Sequence, residues 1–210
     1  MDDWVRELFD STNLRTTPER LADLAQSARP DVRTNVANHD YTPAAVLERL
    51  ARDKRVSVRR NVAANYACPP EALMRLANDR SISVRRNVSA HYSAPPEALE
   101  RLARDEDKYV RLAVAQNRAT SPELLAQLAQ DEIDVVREVV ARRQDCPPLR
   151  LSDLLVDERH NVRIAAARNP ALSTEVLESV IFAVDEAVRR TVLARDDVAD
   201  HVKVAATLAL

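Results

Sequence analysis

The chain of 210 residues contains no glycine at all. That excludes the glycine-rich phosphate loops of nucleotide-binding proteins. It also leaves few positions for a positive φ, which asparagines such as Asn65, Asn117 and Asn169 could supply where one is needed. Only two cysteines are present, Cys68 and Cys146, too few for a disulfide framework or a structural zinc site. Aromatic residues make up 3% of the chain, and of 31 basic residues only Lys54, Lys108 and Lys203 are lysine. No apolar run approaches the ~18 residues of a membrane span, and the acidic, amphipathic start MDDWVRELFD does not read as a signal peptide, so the expectation is a cytoplasmic protein with no membrane partner.

What is present is a period. Val32-Arg33, Val58-Arg59, Val84-Arg85, Val110-Arg111, Val136-Arg137, Val162-Arg163 and Val188-Arg189 stand 26 residues apart without a slip. A period that strict means one supersecondary unit copied seven times and stacked, not a globule with one closed core. The two cysteines share a repeat place three units apart, roughly 25–30 Å at ordinary helix spacing, so they cannot bridge.

Each unit reads Pro-Glu-x-Leu-x-x-Leu-Ala-x-Asp, four variable residues, then Val-Arg-x-x-Val-Ala-x-Asn. Proline and glutamate suit the first turn of a helix, and Leu at i, i+3 with Ala at i+4 makes one apolar stripe. This predicts a first helix of about ten residues, for instance Pro96 to Arg104, and a second, shorter one carrying Val110 and Val114. Proline pairs after Cys68 and Ala94 are expected to stop the short helix. The recurrent alanine (Ala25, Ala51, Ala77, Ala103, Ala129) marks close packing between repeats, and Leu155 and Ile181 replace it in the last two. Residues 1–13 read as an N-terminal capping helix with Trp4, Val5, Leu8 and Phe9 on one face, 14–199 as the repeats, and 200–210 as a partial eighth repeat. There Val202, Val204, Leu208 and Leu210 serve either as an inward cap or as an end-to-end contact with a second chain, a possible homodimer.

An aspartate six residues before the repeated arginine offers a structural ladder, Asp53, Asp79, Asp105, Asp131 and Asp157 with Arg59, Arg85, Arg111, Arg137 and Arg163. Ser27 and Ala183 stand at this place in the first and seventh units, a loss at both ends that suits a ladder whose rungs need neighbours.

This motif set resembles the leucine-rich repeat variant family from about Thr17 to Ala199. The resemblance implies a right-handed all-α solenoid in which α and 3₁₀ helices alternate. HEAT repeats share the Asp…Val-Arg signature and would make both helices α. Some members of the variant family carry a cysteine-ligated iron–sulfur cluster ahead of the repeats; nothing before Cys68 could ligate iron here, and no cofactor is expected.

No catalytic constellation is visible: no His-Glu-x-x-His, no Cys-x-x-Cys, and four histidines (His39, His91, His160, His201) spread over different repeats. His39 and His91 are two repeats apart, roughly 20 Å, too far to share a metal. The expectation is a non-enzyme. Charge is more telling. The segment from each repeated Val to the Asn65 place holds fourteen arginines over seven repeats (Arg33, Arg59, Arg60, Arg85, Arg86, Arg111, Arg137, Arg142, Arg143, Arg163, Arg168, Arg189, Arg190, Arg195) and one acid, Glu138, in a chain of net charge −2. Such a strip could line a groove for nucleic acid, or be consumed by the ladder. Tyr41, Tyr66 and Tyr92, with His39 and His91, fall beside it and could anchor a partner peptide, stack bases, or merely cover the loop. A base-excision enzyme of the HEAT-like kind would want an aromatic facing that groove, and the only tryptophan is Trp4 in the cap. The reading is a scaffold for a protein partner, with nucleic-acid binding as the alternative. Its candidate contacts are Arg60, Arg86, Arg190, Arg142, Arg143, His39, His91, Tyr41, Tyr66 and Tyr92.

Overall fold

A computed structural model describes residues 2–210, which form sixteen α-helices and no strand among the described residues. Helix α1 (Asp3–Thr12) precedes seven helix pairs. The first helices of the pairs are α2 (Pro18–Leu24), α4 (Ala44–Leu50), α6 (Pro70–Leu76), α8 (Pro96–Leu102), α10 (Pro122–Leu128), α12 (Pro148–Leu154) and α14 (Thr174–Val180). The second helices are α3 (Pro30–Asn38), α5 (Val56–Ala64), α7 (Ile82–Ala90), α9 (Lys108–Gln116), α11 (Asp134–Arg142), α13 (His160–Ala167) and α15 (Glu186–Leu193). A single helix follows, α16 (Asp200–Leu208). The chain forms two compact units, residues 1–119 and 120–210, each a stack of two-helix repeats, which is the α-solenoid architecture. In unit 1 the second helices α3, α5, α7 and α9 lie side by side, and in unit 2 α11, α13 and α15 do the same.

The helix lengths reverse the expectation. The first helix is α-helical for only seven residues; its last turn then tightens, with Asn78 N–H donating to Arg75 O and Asp79 N–H to Leu76 O, both i→i−3. The Val-Arg helix is the longer one, α throughout and mostly nine residues. The 3₁₀-type geometry therefore sits at the end of the first helix. The proline pairs also act differently. Helix α5 has already ended at Asn65, and Pro69 and Pro70 occupy the N-cap and N1 positions of α6, where a fixed φ near −65° and a missing N–H suit a helix start.

The core is the pattern itself. All seven Val of the Val-Arg pairs are at most 1% exposed, as are Leu21, Leu47, Leu73, Leu99, Leu125, Leu151 and Leu177 on the first helices. Each such side chain contributes roughly 1.5–3 kcal/mol relative to leaving it in water. The recurrent alanine is buried in every repeat that has it, and Leu155 and Ile181 are buried in its place. At the N-terminus α1 packs on α2 and α3, but only Val5 and Leu8 of its expected apolar face are half-buried; Trp4 and Phe9 are 48% and 60% exposed, and Arg29 lies over the Trp4 ring. Helix α16 packs on α14 and α15 through Val202 and Ala206 and turns Val204 and Leu208 outward.

Two hydrogen-bond ladders cross from repeat to repeat inside each unit. In the first, Arg59 donates from Nε and Nη2 to the two carboxylate oxygens of Asp79 in the next repeat (2.5 and 3.0 Å) and from Nη1 to the Asp53 carbonyl of its own repeat (2.7 Å). Asp79 Oδ1 also accepts the Ser81 N–H, closing the turn into α7. Arg33–Asp53 and Arg85–Asp105 repeat this in unit 1, and Arg137–Asp157 in unit 2. The ladder does not stop where Ala183 replaces aspartate: Arg163 pairs with Asp185, two residues further on, which also caps α15. At the other end Ser27 donates to Glu7 of α1, and its carbonyl accepts Arg33 Nη1.

The second ladder runs through residues 13, 39, 65, 91 and 117 in unit 1 and 143, 169 and 195 in unit 2. Asn65 Nδ2 donates to the Ala37 and His39 carbonyls at the end of α3, and Asn117 Nδ2 to those of Ser89 and His91. His91 Nε2 donates to Asn65 O, because its Nδ1 accepts the Ser93 N–H and the ring proton is left on Nε2. In unit 2 Asn169 and Arg195 do the same to Ala141/Arg143 and Ala167/Asn169. Each rung satisfies carbonyls of the helix end before it, which otherwise lack partners. No described residue has positive φ, so these asparagines serve the ladder; Asn65 itself is extended, at φ −74°.

Burial alone would raise the Asp79 carboxyl, but the Arg59 hydrogen bond, the Ser81 N–H and the Arg59 and Arg85 charges outweigh it and hold the carboxyl below its ordinary range; Asp53, Asp157 and Asp185 are lowered by the same balance. The stabilisation is thus complete above the unfolded aspartate pKa of ~3.9 and lost as pH falls through the lower folded values. Urea midpoints should be flat from neutral pH to about 5 and fall steeply below about 4. In Asp79→Asn the acid-dependent part should be visibly smaller.

Candidate binding face of the second helices

The ladders decide which arginines are open. Of the fourteen in the strip, Arg33, Arg59, Arg85, Arg137 and Arg163 are ion-paired to ladder aspartates, and Arg111 donates to the Asp105 carbonyl. Arg143 and Arg195 pair with Asp145 and Asp197 in their own loops, Arg142 with Glu138 and Arg190 with Glu186 one turn away, and Arg189 donates to Val184 O. Of these fourteen, Arg60, Arg86 and Arg168 have side chains with neither a hydrogen bond nor an ion pair among the described residues, and all three are exposed. Within each unit, the described arginines of the strip do not form a continuous run of open cations. The strip's charge is spent mostly on cohesion.

The candidate residues separate accordingly. His39 and His91 are buried rungs of the second ladder, so their rings have no free nitrogen to offer a partner. Tyr66 and Tyr92 are 76% and 65% exposed, with ring centroids 5.8 Å apart and tilted, and the Tyr92 hydroxyl donates to Tyr66 O. Tyr92 stacks on His91, and Tyr41, one place out of register, packs on His39. Arg142 and Arg190 are exposed in unit 2, and Arg143 is half-buried.

In unit 1 these features converge on a cleft of about 350 Å³ between the ends of α5 and α7. Tyr66, Tyr92, Ala63, Ala64, Ala90 and His91 line it. The cleft exists because alanine stands at these two places, where the flanking repeats carry the longer Asn38 and Gln116. Asn87, which also lines it, donates its amide to Arg60 O at 2.9 Å and so fixes α7 against α5. In the same two repeats Arg60 and Arg86 stand at equivalent places, and Arg86 lies over the Tyr109 ring. Unit 2 has a cleft of about 360 Å³ on its second-helix face, lined by Arg142, His160, Arg168 and Glu138 among others. There the acid accompanies the arginines.

The two thiols are not reactive groups. Burial pushes Cys68 up to about 12, and burial together with the Asp145 charge pushes Cys146 to about 11. Both are free and buried. Among the described residues no group of three or more His, Cys, Asp or Glu could hold a metal ion, and no helix is long and apolar enough to cross a membrane.

Residues 30–54, 83–107 and 110–133 match the family model described as leucine rich repeat variant. Among solved structures the chain is similar to "a leucine-rich repeat variant with a novel repetitive protein structural motif", at 31% identity over 94% of this chain and 73% of that one, with a TM-score of 0.62. More distant likenesses are to the Escherichia coli protein YIBA (19% identity, 100% and 97% covered, TM-score 0.48) and to a computationally designed armadillo repeat protein for modular peptide recognition (16%, 98% and 91%, TM-score 0.24). Neither of these two bears on function. No curated protein matches the chain significantly.

The thiol assignment has a direct check. In the folded protein at pH 8 both cysteines should resist a thiol reagent such as dithionitrobenzoate over hours, and both should react within minutes in denaturant. Fast labelling of the native protein would contradict the burial of these residues.

Proposed function

The chain belongs to the leucine-rich repeat variant family, and from that premise we propose that it is a non-enzymatic scaffold that holds a protein partner on the second-helix face of its first unit. The observation that carries this reading is the cleft lined by Tyr66 and Tyr92, on the two helices that also carry the exposed Arg60 and Arg86. The repeated residues are turned to the core or to the ladders, so the variable, exposed residues are the ones left to choose a partner. Tyrosines and arginines are the side chains that most often anchor protein interfaces, since each joins a large apolar surface to a polar tip.

Nucleic acid fits less well. A protein that neutralises six to ten phosphates shows a salt dependence of roughly that order, whereas the three open arginines of the second-helix strip would contribute a slope of only about −3 from that strip. Two of them lie in unit 1 and one in unit 2. The acids paired with Arg142 and Arg190 further weaken any attraction of a polyanion to unit 2.

A photo-crosslinking side chain introduced at Ala64 should capture a protein from the cell that makes this chain. Recovery should fall roughly tenfold or more in the double variant Tyr66→Ala, Tyr92→Ala, as expected for loss of aromatic anchors. Capture that the double variant leaves unchanged would contradict the proposal. So would recovery of nucleic acid alone, with binding that collapses between low and physiological salt.

A further inference from the structure

The face formed by α5 and α7 around the cleft of unit 1 has a spacing, a charge and an unused acceptor, and the three together describe what it fits. The spacing comes from the stack. Neighbouring second helices lie ~8–10 Å apart, so the backbone places of Arg60 and Arg86, equivalent in adjacent repeats, are offset by about that distance, while the Tyr66 and Tyr92 rings lean together to 5.8 Å between centroids. The charge is positive and unopposed: among the described residues neither Arg60 nor Arg86 has a carboxylate partner, and α5 and α7 contain no acidic residue. The acceptor is Asn87 Oδ1. The Asn87 amide nitrogen is occupied by Arg60 O, whereas its oxygen accepts no hydrogen bond from any described residue, and Asn87 is one of the residues lining the cleft.

We infer that this site binds a polyproline II segment of a partner protein in which an acidic residue recurs at every third position. This rests on the reading of the face as a protein-binding surface and specifies its occupant. A polyproline II helix has three residues per turn and rises ~3.1 Å per residue, so side chains three apart point the same way and lie about 9 Å apart. That matches the repeat-to-repeat offset of the two arginines. An extended β-strand does not, because residues three apart point to opposite faces. Ring faces exposed to solvent at close spacing, as Tyr66 and Tyr92 are, are the surfaces on which proline rings pack. A polyproline II backbone makes no internal hydrogen bonds, so a non-proline N–H within it is free to reach Asn87 Oδ1. The carboxylates supply the charge that Arg60 and Arg86 lack, in the planar geometry that a guanidinium matches. The small lining residues Ala64 and Ala90 confine the site to these two repeats, since Asn38 and Gln116 stand at the same place on either side.

The test is a fluorescence polarisation titration of the full chain with labelled synthetic probes. One is a peptide of repeating Glu-Pro-Pro; a second has the same composition with the glutamates in one block; a third repeats Lys-Pro-Pro. A fourth is an acidic amphipathic helix of equal charge, and a fifth a single-stranded RNA oligomer. The repeating acidic peptide should bind roughly tenfold more tightly than the block peptide, and the lysine peptide not at all. Arg60→Glu with Arg86→Glu should abolish binding, and Asn87→Ser should weaken it, with unchanged circular dichroism in each case. Equal affinity for the block peptide, or no binding of either proline peptide, overturns the inference. Preference for the acidic helix also overturns it but leaves the protein-binding reading intact. Binding of the RNA alone overturns both.

Discussion

Every repeat in each unit depends on how its neighbour's helix ends are satisfied. A two-helix unit of this size leaves carbonyls and amides exposed at the end of each short helix, and stacking buries several of them. The Arg–Asp rung answers at one edge: a single guanidinium grips the carbonyl of its own turn and the carboxylate of the next, while that carboxylate also holds the next turn closed. At the other edge the Asn, His or Arg rung takes the carbonyls of the preceding helix. Hydrophobic contact brings the repeats together, but it is non-directional. The rungs select the register.

The absence of glycine follows from the same chemistry. Turning a chain usually exploits positive φ, and here no described residue uses it. Aspartate turns the chain after most first helices by accepting an N–H two residues on, and asparagine or histidine does so after five of the seven second helices. Proline then sets the next start. Because these turn residues are also the cross-repeat rungs, a substitution at one of them disturbs both the local turn and the stack. Little of the repeated sequence is left for recognition, and the variable residues of α5 and α7 carry what there is.

Much of this was legible in the chain alone. The Val-Arg period, the leucine stripe and the aspartate–arginine pairing all recur with one residue type at one place, so a single sequence displays them. The second ladder was hidden because Asn65, His91, Asn169 and Arg195 share a role without sharing a type; what they have in common is an N–H that reaches a carbonyl. Asp185 escaped notice because it stands two residues out of register. The basic strip left two readings open for a related reason: charge can be counted in a sequence, but which carboxylate or carbonyl each arginine meets is a matter of three-dimensional pairing. His39 and His91 looked available beside the tyrosines, and it is the hydrogen bonds at both ring nitrogens that remove them.

The central claim is that the rungs couple one repeat to the next. It is tested most directly by a double-mutant cycle on Arg59→Ala and Asp79→Ala, read as urea-unfolding free energies, with the exposed pair Arg52 and Glu48 as the comparison. The buried rung should show a coupling of about 1–3 kcal/mol and the exposed pair no more than about 0.5 kcal/mol. Equal, near-zero couplings for both pairs would mean that apolar packing alone sets the register, and the ladder would lose its place as the organising interaction.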